Sequence, residues 1–137
     1  MWEHGDILDA YNPKCWDSIH PSKSLLDLGI PRAAHSDSPV SSSDPLMHIQ
    51  AMVTRRSAEG KIYGPAQRIT AEQAITAWTL GGAFACFADT ETGSIATGKL
   101  ADFVVLDADP TTVAPDQIMN IGIKATFVGG QKVFATQ

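Results

Sequence analysis

From Ser22 onward the apolar positions of this 137-residue chain change period twice, from helical to extended and back, before settling into short strands. Ser22-Lys23-Ser24-Leu25-Leu26-Asp27-Leu28-Gly29 reads as a short helix, with serines to cap its start and Gly29 to end it in a left-handed conformation. Ile30 to His35 follows as a strand, and helix, glycine, short apolar strand is the join of a βαβ unit. Ser38 to Pro45 is a loop by its Ser and Pro content. Asp44 stands where it would cap a helix starting at Leu46, and Leu46, Ile49, Met52 and Val53 give that helix one apolar stripe down to about Arg56. Gly60 to Pro65 is a second loop.

Thr70-Ala71-Glu72-Gln73 matches a capping box, in which the Thr hydroxyl accepts from the third amide and the Gln reaches back. The helix it opens runs through Ala74, Ile75 and Trp78 toward Phe87, with Gly81-Gly82 marking a break or a close helix contact. From Gly93 the period is that of strands: Ser94 to Ala96, Phe103 to Leu106, Ala125 to Val128 and Lys132 to Phe134. Gly129-Gly130 between the last two predicts a hairpin, because both central positions of the favoured turns want positive φ. Met1 to Ser22 shows no clear period.

Composition narrows the function classes. A hydrophobic share of 44% and a charged share of 18% fit a globular chain of one compact unit. A net charge of −5 and a pI near 5.1 leave no basic surface for nucleic acid. No apolar run approaches the ~20 residues of a membrane span, and the N-terminus lacks a signal-peptide pattern, so a cytoplasmic protein is expected. Cys15 and Cys86 lie too far apart for a zinc knuckle and read as reduced thiols.

Candidate chemistry centres on Asp37, which sits where the Ile30–His35 run stops. By spacing alone it reads as a cap for the Ser38-Pro39 turn. His35 is two residues earlier, so on a strand both side chains share one face. One His and one Asp are too few for a metal site, which wants four ligands, or three and a water. His4, His20 and His48 are isolated in sequence and read as ordinary surface or partly buried histidines. Arg55-Arg56 could bind an anion, although the solvated end of a helix explains them better. Trp2, Trp16 and Trp78 read as packing residues.

Gly29 to Val40, Gly98-Lys99-Leu100-Ala101-Asp102-Phe103-Val104-Val105-Leu106 and Val128-Gly129-Gly130-Gln131-Lys132-Val133-Phe134 carry a resemblance. In this order the motifs resemble the C-terminal part of the metal-dependent amidohydrolases, and within them amidohydrolase family 3, which includes N-substituted formamide deformylase-like proteins. The similarity runs from about Ser24 to Phe134. It implies a (β/α)8 barrel with a metal, zinc first, held on the C-terminal ends of its strands by a His-x-His pair, a bridging Lys or acid, two later His residues and an Asp. Only the Asp has a counterpart, Asp37, which the resemblance makes both a metal ligand and the catalytic group that takes a proton from the attacking water. The family carries a small residue at the His35 position. Gly98 to Asp102 has a structural role in the family, with Asp102 bonding turn amides, and the loop context of Lys99 argues against its being the bridging Lys.

A whole barrel takes about 250 residues. The expectation is therefore an α/β chain: residues 1–92 as terminal strand-helix units of an incomplete (β/α)8 barrel, and residues 93–137 as strands of a small β-sandwich. By descent it hydrolyses a non-peptide C–N bond in an amide or formamide. A truncated, split or fragmentary form is expected, inactive alone and working as a homo-oligomer or with a complementing chain, unless the sequence is a domain cut from a longer gene, which restores the full hydrolase. The alternative is a non-catalytic barrel remnant that self-associates or binds a partner through uncovered strand edges.

Overall fold

The computed structural model describes residues 2–136, so the first and last residues of the two expected segments lie outside it. Five helices come first: α1 (Gly5–Tyr11), α2 (Ser22–Asp27), α3 (Pro45–Thr54), α4 (Ala71–Trp78) and α5 (Leu80–Ala85). Three strands follow, β1 (Phe103–Leu106), β2 (Ile123–Val128) and β3 (Gln131–Ala135), in one antiparallel sheet of order β1-β2-β3.

Local sequence explains the ends of α3 and α4, whereas α2 starts at Ser22 after Pro21 without the expected serine cap. The Asp44 side chain accepts from the Leu46 amide at 2.9 Å and starts α3. The α3 helix stops at Thr54 because Arg55 turns left-handed, with φ 55°. Thr70 and Gln73 form the expected capping box of α4. The helix after it is broken earlier than Gly81-Gly82. Thr79 leaves helical geometry and its hydroxyl bonds back to the Ile75 carbonyl at 2.8 Å, a contact that bends helices. Gly81 supplies the close contact instead. A Cβ built on it would lie 2.0 Å from the Arg32 carbonyl oxygen, so α5 rests directly on the backbone of residue 32. Gly81→Ala is expected to force that backbone apart and to destabilise by about 1–3 kcal/mol, read as a lowered urea midpoint. An unchanged midpoint would mean that α5 can slide.

The core gathers Leu46, Ile49, Ile69, Ala74, Ile118 and Ile121. The last two come from the short 3₁₀ turn Pro115–Asn120 and the residue after it, which close over α3 in the same buried cluster as Ala74 of α4. Two buried glutamines tie distant segments together. The Gln50 side chain accepts from the Met119 amide at 3.0 Å, and Gln67 both accepts from the Ser24 amide and donates to its hydroxyl. A separate cluster stacks Trp16 on Tyr63, ring centroids 4.2 Å apart, with the Trp16 indole N–H donating to Asp9.

The sheet follows the expected pattern at its turn. Gly129 and Gly130 have φ of 56° and 79°, and Val128 pairs with Gln131 across them. Phe103 stacks on its cross-strand partner Phe127 at 4.5 Å. Every described residue of β3 is exposed.

Two expected strands are not strands. Ser94 is a bend and Ile95 and Ala96 have no regular structure, with Ile95 exposed, and Ile30 to His35 is extended but unpaired. A strand exists only by hydrogen bonding to a neighbouring strand, and among the described residues the neighbours of 30–36 are the helices α4 and α5, with no strand paired to it.

Candidate active site

Asp37 ends that extended run. Arg32, Ala34 and Ser36 are half-buried against the rest of the chain, whereas Pro31, Ala33, His35 and Asp37 face outward. The alternation is that of a half-buried strand, and it puts His35 and Asp37 on one face as expected. The Asp37 backbone is left-handed, with φ 57°, and its carbonyl accepts from the Val40 amide at 2.8 Å to close a turn over a cis Ser38-Pro39 bond. Its carboxylate is exposed and accepts no hydrogen bond among the described residues; the Ser38 amide bonds to Ser36 Oγ instead. The turn is thus closed by backbone and by Ser36, leaving the Asp37 side chain uncommitted.

The loop after Asp37 is pinned from three directions. Glu3 accepts from the Ser41 hydroxyl and from the Ser42 amide, His4 Nε2 donates to the Val40 carbonyl at 3.0 Å, and His48 Nε2 donates to the Ser42 carbonyl at 2.7 Å. The His48 ring stacks on Trp78 at 5.3 Å. The Ser41 hydrogen bond, then the Ser42 amide, lowers the Glu3 pKa. These histidines are structural, in line with their isolation in sequence, but their partners lie 36 and 6 residues away and no local pattern points to them. Residues 3–11 likewise form a cap and a helix where the sequence shows no period.

Arg55 departs from its expected solvated position. It is 1% exposed, and its guanidinium donates to four backbone carbonyls: Tyr63 at 2.9 Å, and Trp16, Ile19 and His20 at 3.2 Å. Burial, then the nearby Arg32 cation, lowers its pKa while Asp17 raises it. The residue is spent on holding residues 16–20, because the left-handed turn at the end of α3 points it inward. Arg56 does reach solvent and donates to the Gly60 carbonyl. Desolvation, followed by the positive charges of Arg55 and Arg32, pushes His20 down to about 4. More than a third of its surface still meets water, which screens the effect.

The Gly98–Asp102 motif is structural here too. Lys99 Nζ donates to the Asp89 and Thr92 carbonyls, and the Asp102 carboxylate accepts from the Gly129 amide at 2.7 Å and from the Thr92 hydroxyl. Asp102 therefore fastens the hairpin turn to the start of β1.

Among the described residues no three His, Cys, Asp or Glu side chains come together to hold a metal ion. One carboxylate with His35 nearby in sequence does not make up a site. No described helix is long and apolar enough to cross a membrane.

Comparison with known proteins places these features. The model of the amidohydrolase family matches residues 3–134. A putative amidohydrolase, YtcJ, of Bacillus subtilis is 36% identical over 115 residues, which are 82% of this chain and 22% of that protein. An N-substituted formamide deformylase of Arthrobacter pascens is 31% identical over 112 residues, 82% of this chain and 21% of the relative. The chain thus spans about a fifth of the length of these curated relatives. The crystal structure of an amidohydrolase from Thermotoga maritima superposes on 85% of this chain and 26% of its own, with a TM-score of 0.61 at 22% identity, which is agreement in fold. A family match over residues 3–134, nearly all of its length, together with relatives 36% and 31% identical over 82% of the chain, makes this chain a member of amidohydrolase family 3.

Proposed function

We propose that the chain supplies the closing segment and one carboxylate, Asp37, of a hydrolase acting on a non-peptide C–N bond in an amide or formamide. The observation that carries this reading is the uncommitted, exposed carboxylate of Asp37 at the end of an outward-facing extended run, inside the stretch shared with the family. An ionised carboxylate there can take a proton from the attacking water and return it to the leaving nitrogen. A divalent metal, zinc first, enters this reading only with ligands from outside the described residues, since those present do not form a site. On this reading the 137 residues alone turn over no substrate, and a complementing polypeptide provides the rest of the site. A cytoplasmic setting belongs to the same reading.

N-substituted formamides, taken from the name of the Arthrobacter relative, are the substrates to test first. Formate and amine release is expected from the chain joined by complementing amidohydrolase polypeptide, and none from the chain alone. No release from any such assembly, on amides or formamides, would sink the hydrolase reading.

A second reading is favoured by apolar surface. Phe87 is 95% exposed and Ile95 88%, and Val104, Val128, Val133 and Phe134 lie open on the sheet. Surface of this kind marks association, and a non-catalytic module would assemble through it without any turnover.

A further inference from the structure

We propose that the cleft walled by α2, α4, α5 and the Pro31–Arg32 stretch binds a small monocarboxylate with an apolar body, its carboxylate on the Arg32 guanidinium and its body against Leu80 and Phe84. The cleft lies on the side of the extended run that faces the chain, opposite to Asp37, and it does not depend on the hydrolase reading.

Arg32 is a cation without a counter-charge. It is half-buried, and among the described residues the ion pairs are Lys23 with Asp27 and Lys61 with Asp9, neither of which involves it. Its Nε is shut off from water and has no hydrogen-bond partner, whereas its two terminal nitrogens, equally unbonded, still reach solvent. Burial lowers the Arg32 pKa and no neighbouring carboxylate raises it. Arg55, by contrast, spends its guanidinium on four backbone carbonyls. A guanidinium that has lost water without gaining a partner is stabilised by an anion that supplies one. The two open nitrogens match the two oxygens of a carboxylate, and the planar fork favours that bidentate pairing.

The cleft decides the rest of the ligand. Its volume is about 430 Å³, within the range of small-molecule sites, and Leu26, Pro31, Ala77, Leu80 and Phe84 make its walls mostly apolar. Phe84 is 53% exposed and Leu80 39%, surface that an apolar body would cover. The walls are fixed before any ligand arrives. The Ala34 amide donates to the Ala77 carbonyl of α4 at 3.0 Å, and α5 rests through Gly81 on the Arg32 backbone. Glu72 and Asp89 line the same cleft. Their charges repel a second negative group, which selects a monocarboxylate over a dicarboxylate or a phosphate.

The test adds 3-phenylpropionate or octanoate to the full 137-residue chain and follows heat release and melting temperature, with the matching neutral amides as controls. Saturable binding of an acid below about 1 mM is expected, with a raised melting temperature and the amide at least about tenfold weaker. Backbone resonances of Leu26, Leu80 and Phe84 should shift on binding. Arg32→Met keeps an apolar stem and loses the charge, and is expected to weaken the acid about tenfold or more while leaving the amide unchanged. Should that variant fail to fold, Phe84→Glu, at an exposed position, brings a carboxylate to the apolar wall and is expected to weaken the acid by a similar factor. No saturable binding of either acid up to about 10 mM, amides as tight as the acids, acid binding indifferent to the folded variant, or resonance shifts confined to other segments would each overturn the inference.

Discussion

Arg55→Ala is expected to destabilise the chain by about 3–5 kcal/mol, enough to leave a marginal domain largely unfolded at 37 °C. Four carbonyls, of Trp16, Ile19, His20 and Tyr63, lose their donor at once. Each acceptor left dry costs about 1–3 kcal/mol, and hydrogen bonds from a charged donor are the stronger kind. Relief from a cation held out of water offsets part of the loss, which keeps the total below the simple sum. Arg55→Lys retains the charge but not the planar fork that reaches four acceptors, and about half the loss is expected. Urea denaturation followed by tryptophan fluorescence reads both, since Trp16 belongs to the segment set free. A change below about 1 kcal/mol for Arg55→Ala would show that water replaces the guanidinium without difficulty.

Asp37→Asn is expected to lower the rate of C–N hydrolysis by about 10²–10⁴-fold, the range for removing a positioned proton-transfer group, in the assembled hydrolase described above. The amide keeps the shape and tolerates the left-handed backbone at least as well, but cannot accept the proton. Because the carboxylate makes no hydrogen bond within the described residues, stability should stay within about 0.5 kcal/mol of the parent. Lost turnover at unchanged melting temperature is the signature of chemistry. Retained turnover would reduce Asp37 to a turn residue and end its catalytic assignment.

Much of the fold was legible because its signals are short-range. Asp44, the Thr70–Gln73 box and Gly129-Gly130 each act on neighbours within three residues, and the structure puts each in its expected role. What lay hidden depends on partners far along the chain. Arg55 looks like a solvated helix end until residues 16–20 fold over it, and the bonds of Gln50 to Met119 and of Gln67 to Ser24 span 69 and 43 residues, which no local pattern reads. Ile30 to His35 shows the opposite failure: its residues favour a strand, yet pairing is a property of two segments and the sequence displays one. Asp37 was legible as a position through its neighbours, whereas the pinning of its loop by Glu3, His4 and His48 was not, since a lone Glu or His carries no spacing to read.

The closing of the core by Ile118 and Ile121 sets an order of events during synthesis. The face that α3 and α4 bury is complete in sequence at Ala74, but its cover is not translated until 44 residues later. At about 5–20 residues per second that interval is roughly 2–9 s, during which Leu46, Ile49 and Ile69 ride on the nascent chain with no lid. Ribosome-associated chaperones thus meet an open greasy face well before the hairpin emerges, and synonymous codon changes between 75 and 118 should alter the yield of folded protein though they leave every residue unchanged.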